Sequence, residues 1–383
     1  MTGKLSLDTK NNRTLSNDRR QESKKDLDEG IESTVLLNRL LVDSFRGLKN
    51  AEFCKLNRVN YVVGENNSGK TSVLEALVAG GCYSDSRFFL DTMLARSQKM
   101  ILEGVKNMLR PVGEEISRIT ITFSNGSTLK TELTCKERTE ILQSDNKIKN
   151  KRLLTMTVNS IFGDGQLSEP KTFWVNFEQN DKKTFLRRDP SLEHKKKNRI
   201  PCQFVSFSRF DRTDKILEVL DGVFINNQRE KLLDVLKIFD PNVVNFEVVG
   251  EDRQILVFGK DDHESDPLYL NDYGNGMYKA FYIACAALQA TNGILLIDEL
   301  EAGIHHRALV DFITYLDTIS KKQNIQLFIT THSLELLDVA RQTHHDGDMV
   351  VYKIKRGEGK SVVKRINHND MDLLRGELGV DIR

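Results

Sequence analysis

Short apolar segments alternate with amphipathic ones in the C-terminal part of the chain and predict an α/β fold. From residue 279 onward the order is helix KAFYIACAALQA, strand GILLIDE, helix ALVDFITYLDTIS, strand IQLFITTH, helix LELLDVA and strand MVVYKIK. Continuously apolar short strands between helices are typical of a parallel sheet that is covered on both faces. We therefore predict a mostly parallel sheet flanked by helices.

The N-terminal part predicts antiparallel strands around a helix. The segment TVLLNRLLVDSFRGLKNAEFCKLNRVNYVVGEN predicts two or three strands, and TSVLEALVAGG predicts a helix that Gly80 and Gly81 end. The segment ISRITITFSNGSTLKTEL alternates around Asn125 and Gly126, a strong hairpin signal. Helices are also predicted in FFLDTMLARSQKMILEGVKNML, ILEVLDGVF and REKLLDVLKIF, and strands in PCQFVSFS, VNFEVVG and QILVFG.

A phosphate-binding loop is predicted between the apolar strand NYVV and the following helix. Residues 64–71, GENNSGKT, match the pattern G-x-x-x-x-G-K-[ST] in full. In such a loop, backbone N–H groups cradle the β-phosphate, Lys70 bridges β- and γ-oxygens, and the Thr71 hydroxyl binds Mg²⁺. We therefore predict ATP and Mg²⁺ as cofactors, bound by Gly64, Asn66, Asn67, Ser68, Gly69, Lys70, Thr71 and Ser72.

Polar residues follow two later apolar strands and complete the predicted site. Asp298 and Glu299 end the strand GILLIDE, where Asp298 would hold the Mg²⁺ shell and Glu299 would polarise the attacking water. His332 follows LFITT, at a position to sense the γ-phosphate or position water. Gly274 and Gly276, in LNDYGNGMYK, leave backbone N–H groups open at a helix start, which predicts a second anion site.

Composition narrows the class of protein but identifies no partner. The 383 residues are 39% hydrophobic, enough for a sizeable core, and the net charge is only +1. Because no run of 18 apolar residues and no N-terminal apolar signal segment occurs, we expect a cytoplasmic protein without membrane association. Scattered cysteines without a CxxC pair predict reduced thiols at Cys54, Cys82, Cys135, Cys202 and Cys285.

The order of these motifs resembles a known family. NSGKT, a Gly-rich signature before a helix, LLIDELEAGIHH and TTHS occur as in the ABC-type ATPase domains of the RecF, SMC and OLD group. The resemblance is closest to stand-alone AAA family ATPases of the AAA15 or AAA21 type, and it covers residues 35–80 and 265–383. It implies an ABC-type P-loop ATPase fold with an antiparallel β subregion and an inserted helical and basic region.

The resemblance also implies residue roles and segment boundaries. Lys70 and Thr71 correspond to the Walker A motif, Asp298 and Glu299 to Walker B, and His332 to the switch histidine. Gly274 and Gly276 correspond to the signature loop, which contacts the γ-phosphate of the opposite subunit. Arg46 corresponds to a basic residue that approaches the phosphates, although a structural role is an equal alternative. The family's sensor glutamine has no obvious counterpart: Gln203 precedes the apolar FVSF, and Ser208 and Arg209 at its end are better placed.

We divide the chain into four segments on this basis. Residues 1–33 hold seven basic and seven acidic side chains and few apolar ones, which predicts a disordered N-terminal arm. Residues 34–114 would form the N-terminal part of the ATPase core, and 115–200 an inserted β and basic region. Residues 201–383 would form the rest of the core.

Three functions stay open from the sequence. The resemblance implies an ATP-sandwich homodimer, or a higher homo-oligomer, that acts as the sensor ATPase of a bacterial antiphage (abortive infection) system. Because no clustered Toprim carboxylates follow TTHS, a separately encoded nuclease or toxin would be its effector. The alternative is a RecF- or SMC-like DNA-binding ATPase of recombination and repair. The segment from Lys130 to Arg199 favours it, because it contains 16 Lys/Arg residues but 10 Asp/Glu residues, with basic runs at KNKR and HKKKNR. The third is a scaffold whose ATP only stabilises oligomers.

Overall fold

The computed structural model describes residues 37–81, 88, 92, 116–144, 147–162, 171–177, 185–187, 200–206, 220–250, 254–260, 267–345 and 347–371. Outside this set lie the predicted N-terminal arm, nearly all of the predicted helical segment 88–109, the run HKKKNR and residues 208–209. The structural statements below concern the described residues.

Strands and helices follow one another much as the hydrophobic pattern predicts. The strands are β1 (Leu37–Phe45), β2 (Leu48–Cys54), β3 (Val59–Val63), β4 (Ile116–Phe123), β5 (Thr128–Ser144), β6 (Lys147–Phe162), β7 (Lys171–Phe177), β8 (Phe185–Arg187), β9 (Cys202–Ser206), β10 (Val243–Val249), β11 (Gln254–Gly259), β12 (Leu268–Tyr269), β13 (Ile294–Asp298), β14 (Gln326–Thr331), β15 (Met349–Arg356) and β16 (Ser361–Asn367). The α-helices whose bounds both lie within the described residues are α1 (Lys70–Ala79), α2 (Arg229–Phe239), α3 (Asn275–Gln289), α4 (His306–Lys322) and α5 (Leu334–Thr343). Two 3₁₀-helices span Leu270–Tyr273 and His368–Asp370.

A mostly parallel sheet carries the polar strand ends. Its order is β16-β15-β3-β14-β13-β9, and all neighbours from β15 to β9 run parallel. Every residue of β3, β13 and β14 is buried, as expected for strands that are covered on both faces. The predicted α/β fold is therefore confirmed. The pattern had not predicted β16, which pairs antiparallel with β15 at the sheet edge.

A second, seven-stranded sheet is antiparallel throughout. Its order is β2-β1-β4-β5-β6-β7-β8, so the strands between 116 and 187 continue the sheet that β1 and β2 begin. The predicted hairpin joins β4 to β5, and Asn125 Oδ1 accepts a hydrogen bond from the Ser127 N–H at 3.0 Å within its turn. The antiparallel β subregion is thus present, and the boundaries at 115 and 200 stay a prediction.

Helix α1 lies between the two large sheets. It contacts β1 and β4 on one side and β13 and β14 on the other. Nine of its ten residues are buried, which is why its sequence is apolar nearly all round rather than along one stripe. The helix that begins with the phosphate-loop lysine is therefore held by both halves of the fold.

Hydrogen bonds also join the two sheets directly. The buried Gln326 side chain at the start of β14 accepts from the Leu37 N–H at 2.8 Å and donates to the Leu37 carbonyl at 2.9 Å. The Tyr352 hydroxyl on β15 donates to the Cys54 carbonyl at 2.7 Å. These bonds place β1 and β2 beside the strands that carry the site.

The remaining elements pack on the other side of the parallel sheet. The short antiparallel sheet β10-β11-β12 leads into the 3₁₀-helix and α3. Among the residues that the structure describes, Cys202 and Cys285 are buried free thiols, and Cys54 is a half-buried one. None of the helices described combines the length and the apolar character needed to cross a bilayer.

Candidate nucleotide site

The loop between β3 and α1 has the geometry of an anion cradle. Gly69 takes a φ of +106°, which strains any residue with a side chain, and a Cβ there would lie 2.7 Å from Leu48 Cδ2, so the Leu48 side chain would have to move. The Ser68 hydroxyl is buried and has no hydrogen-bond partner among the described residues. Asn66 and Asn67 are exposed, and Ser72 is buried on α1. A buried, unpaired hydroxyl at the start of a helix fits a bound phosphate.

Lys70 closes the loop upon itself. Its Nζ donates to the Gly64 carbonyl at 2.8 Å and to the Glu65 carbonyl at 2.7 Å. Burial lowers the pKa of this ammonium, while the carboxylates of Glu299 and Asp298 act to raise it. The lysine thus lies against the loop backbone, in the position from which a phosphate-loop lysine reaches phosphate oxygens.

Asp298 is the centre of a hydroxyl cluster. Thr71 Oγ1 donates to its Oδ1 and Oδ2 at 3.0 and 3.1 Å, Thr330 Oγ1 donates to Oδ1 at 2.7 Å, and Ser206 Oγ donates to Oδ2 at 3.2 Å. The carboxylate is 7% exposed, so these bonds compensate for its desolvation. A carboxylate and a threonine hydroxyl beside a phosphate cradle fit Mg²⁺, which takes few protein ligands and keeps several waters.

Glu299 and His332 lie side by side at the mouth of this cluster. Glu299 Oε1 is 3.7 Å from His332 Nε2, and the two side chains are 48% and 30% exposed, so water reaches both. Glu299 has a left-handed backbone, with φ of +52°. Its N–H donates to Thr330 Oγ1 at 2.8 Å, and the His332 N–H donates to Glu301 Oε1 at 2.8 Å. The turn after β13 is therefore fastened to the end of β14.

The two signature glycines are needed for different physical reasons. Gly274 has a φ of +97°, and a Cβ there would meet nothing within 4 Å. A Cβ on Gly276 would lie 2.4 Å from the Gly303 carbonyl oxygen and 3.3 Å from Ile304 Cα. Gly274 thus faces open space, as approach by another molecule requires, whereas Gly276 packs against the turn that follows Glu299.

Two further predicted positions have structural partners. Arg46, between β1 and β2, is 7% exposed, and its Nη1 is 2.8 Å from Oε2 of the fully buried Glu75 on α1. Arg46 is therefore buried against α1, in agreement with the structural alternative, and its role at the phosphates stays a prediction. Gln203 Nε2 donates to Gln289 Oε1 on α3 at 3.2 Å. The alternatives Ser208 and Arg209 lie outside the described residues.

Sequence reasoning missed three residues at the site. Ser206 and Thr330 bind Asp298, and Lys279 donates to the carbonyls of Glu299 and Ala302 at 2.5 and 3.0 Å. Ser206 and Thr330 come at the ends of apolar strands, a signal like the one that identified Asp298. Lys279 carries a weaker signal, as the single charged residue of an otherwise largely apolar helix.

Comparison with known families agrees with this geometry. The AAA_21 family, described as "AAA domain, putative AbiEii toxin, Type IV TA system", matches residues 162–338, a range that contains the signature loop, Asp298, Glu299 and His332. Residues 162–338 thus match an ATPase domain of the AAA_21 type. The matched range begins after the phosphate loop, which the structure nevertheless brings to the same site through the bond from Thr71 to Asp298.

Several relatives share parts of this ATPase chain. It is 23% identical over 357 residues, 82% of this chain and 90% of the other, to an "ATP/GTP phosphatase" of Helicobacter pylori. It is 33% identical over 116 residues, 29% of this chain and 98% of the other, to the uncharacterized protein MJECL11 of Methanocaldococcus jannaschii. The "DNA replication and repair protein RecF" of Shewanella woodyi is 25% identical over 230 residues, 54% of this chain and 58% of that protein.

Among solved structures, the ATPase chain is similar to an SMC head bound to the C-terminal winged-helix domain of ScpA. The identity is 12%, the TM-score is 0.48, and the alignment covers 86% of this chain and 98% of the SMC chain.

Proposed function

We propose that this protein hydrolyses ATP and acts as a nucleotide-dependent switch. The observation that carries the proposal is the hydroxyl cluster on Asp298, formed beside the Lys70 loop by residues from three different elements. A buried carboxylate with three hydroxyl donors next to a phosphate cradle has no evident use in stability alone, whereas it suits a metal–phosphate site. The phosphatase name of the Helicobacter pylori relative supports the same reaction.

Each site residue has a distinct role in this reaction. Lys70 would exchange its loop carbonyls for β- and γ-phosphate oxygens, and Thr71 and Asp298 would hold Mg²⁺ and its waters. Mg²⁺, when bound, offsets the negative charge that the phosphates carry. Glu299 accepts a proton from the water that attacks the γ-phosphorus, while the bond to the β,γ-bridging oxygen breaks and leaves ADP and phosphate. His332, 3.7 Å from Glu299, orients that water or the γ-phosphate.

Two copies of the chain would complete the site. The open surroundings of Gly274 support contact with a nucleotide held by a second subunit, as the family resemblance implies. ATP would then bridge two protomers head to tail, as a homodimer or within a higher homo-oligomer, and ADP would not. The differential affinity of the closed assembly for ATP is what drives such a switch.

Two variants and one control test the proposed reaction. Glu299→Gln should lower kcat by about 10²–10⁴-fold, the usual contribution of a general base, and should accumulate an ATP-bound dimer in size-exclusion chromatography. Lys70→Ala should abolish ATP binding. Glu230→Gln is the matched control, because Glu230 is an exposed residue in the first turn of α2. Hydrolysis by Glu299→Gln at the wild-type rate would show that another residue polarises the water.

The biological role we propose is a cytoplasmic sensor ATPase in antiphage defence, which controls a separately encoded nuclease or toxin. The toxin–antitoxin wording of the family description and the motif order support this role. The test is a phage-plaque assay of cells carrying this gene with its neighbouring genes. Protection should require both Lys70 and Glu299, and protection that survives Lys70→Ala would exclude ATP-dependent sensing.

A second candidate function, DNA binding, is favoured by the register of the β5–β6 hairpin. Lys136 pairs with Thr155, Arg138 with Leu153, Glu140 with Lys151, Leu142 with Lys149, and Ser144 with Lys147. Since successive strand residues alternate between faces, these ten positions share one face. That face carries five basic residues and one acidic residue, whereas positions 137–143 and 148–154 on the other face carry only Glu137 and Arg152.

The basic hairpin face can be tested separately from hydrolysis. Duplex DNA affinity is measured against salt for the triple variant Lys147→Gln, Lys149→Gln, Lys151→Gln, with Lys231, Lys237 and Lys322 changed to Gln as the matched control. If the face contacts phosphates, the slope of log K against log salt should fall by about 2–3 in the hairpin variant alone. Equal slopes in both triple variants would reject DNA binding through this hairpin.

A further inference from the structure

Lys279 is a completely buried lysine in the first turns of α3, five residues after Gly274 at the open end of the signature loop. Its side chain has 0% exposure, and its Nζ donates to the backbone carbonyls of Glu299 and Ala302. Burying an ammonium is costly unless it is hydrogen bonded, and an apolar residue of similar length would fill the same volume. The residue is therefore explained by the groups that it binds rather than by packing.

Both acceptors of Lys279 belong to the turn that carries the catalytic carboxylate. Glu299 begins this turn with a left-handed backbone, which is unfavourable for a residue with a side chain. The Ala302 N–H donates to the Glu299 carbonyl at 3.1 Å, and the Leu300 N–H donates to the Thr330 carbonyl at 3.3 Å. The turn is thus held by β14 on one side and by Lys279 on the other.

The signature helix also touches the far end of the same turn. The α3 backbone at Gly276 approaches the Gly303 carbonyl so closely that no Cβ would fit between them. Helix α3 therefore contacts both ends of the segment 299–303. The acidic surroundings agree with a bonded cation: burial lowers the pKa of Lys279 to about 8, against the opposing effect of the Glu301, Glu299 and Asp298 carboxylates.

We propose that Lys279 is a positioning residue, which holds Glu299 in place for hydrolysis and fixes it to the signature loop of the same subunit. This inference rests on the proposed ATPase function. Because Lys279 connects Glu299 rigidly to the signature loop, closure of Gly274 on a partner's nucleotide sets the position of Glu299 in the subunit's own site. Hydrolysis at one site of a dimer thereby depends on closure at the other.

The test separates positioning from folding and from nucleotide binding. Lys279→Met keeps the aliphatic stem but removes the charge and the donors, and Lys279→Gln keeps a shorter, neutral donor that preserves folding if the first variant does not fold. Lys237→Met, at an exposed position in the last turn of α2, is the matched control. For each variant, ATP Kd, kcat, KM and the melting temperature are measured on the full chain, alone and combined with Glu299→Gln.

We expect the Lys279 variants to bind ATP within about 3-fold of wild type, since the two hydrogen bonds of Lys279 described above go to the turn after β13 and not to the phosphate loop. Their kcat should fall by about 10²-fold at unchanged KM, the effect of displacing a catalytic group by about 1 Å. In the Glu299→Gln background the same substitutions should cause little further loss, because both act on one group.

Three results would decide against this connection. Wild-type kcat in folded Lys279→Met or Lys279→Gln overturns it, and so does an equal loss of kcat in the Glu299→Gln background, which indicates a role independent of Glu299. If the wild-type protein and the Lys237→Met control do not hydrolyse ATP, the proposed function itself fails, and this inference fails with it.

Discussion

Replacement of Arg46 by Met should destabilise the protein far more than it weakens ATP binding. The Arg46–Glu75 pair is 2.8 Å long, and the two side chains are 6% and 0% exposed. At an effective dielectric constant of 20, charges at that separation attract by about 6 kcal/mol, and loss of one partner of a buried pair typically costs about 3–5 kcal/mol. At about 2 °C per kcal/mol for a large chain, the melting temperature should fall by about 6–10 °C.

A double-mutant cycle and a surface pair make this prediction specific. Arg46→Met, Glu75→Gln and the double variant are compared by thermal denaturation, and the double variant should recover part of the loss because no buried charge is left unpaired. Arg39→Met is the control, since Arg39 and Glu52 form a pair of 2.6 Å at 42% and 44% exposure, worth at most about 1 kcal/mol. If Arg46→Met melts within 2 °C of the control variant but binds ATP at least tenfold more weakly, Arg46 acts on the nucleotide and our reasoning is wrong.

Two other substitutions test the site and the scaffold. Thr330→Val should lower kcat by about 10²-fold with ATP affinity retained, because it removes the hydrogen bonds to Asp298 and to the Glu299 N–H. Thr314→Val, at an exposed position of α4, is the control. An equal kcat in both variants would contradict the role of Thr330 in positioning Asp298 and Glu299. Burial acts to raise the pKa of Asp317, but hydrogen bonds with His344 and Lys321 lower it below its ordinary value. Its stabilisation is therefore present above about pH 4 and lost as pH falls through the folded-state pKa. Asp317→Asn should lower the urea midpoint at pH 7 and have little effect below the folded-state pKa, whereas a constant difference across that range would contradict the linkage.

Local motifs predict the chemistry of this site better than they predict its assembly. The phosphate loop, the Asp298 strand end and the α/β order follow from residue patterns that span at most a few tens of residues. The partners of Asp298 do not, because Thr71 is 227 residues away from it along the chain and Ser206 is 92. Ser206 can be identified as a partner of Asp298 only when it is known that β9 lies beside β13.

The same limit explains Arg46 and the region after residue 115. In sequence, Arg46 lies in a short strand connection with an ordinary polar pattern, and only the placement of α1 between two sheets buries it against Glu75. The sequence predicts the strands from β4 to β8 as an insertion, because no residue pattern near β4 indicates that it pairs with β1. Pairing between distant strands depends on the global fold rather than on local propensity.

The register of the parallel sheet is what converts scattered polar residues into one site. Strand β13 lies between β9 and β14, with Asp298 opposite Ser206 and Ile297 opposite Ile329, so that Thr330 follows at the same edge. A shift of β9 or β14 by one residue would turn the Ser206 or Thr330 hydroxyl to the other face of the sheet, away from Asp298. The hydrogen bonds of Ser206 and Thr330 to Asp298 therefore depend on the strand register as well as on the presence of a hydroxyl group. Losing the Ser206 or Thr330 hydroxyl should affect Asp298 while the phosphate loop and its nucleotide contacts remain intact.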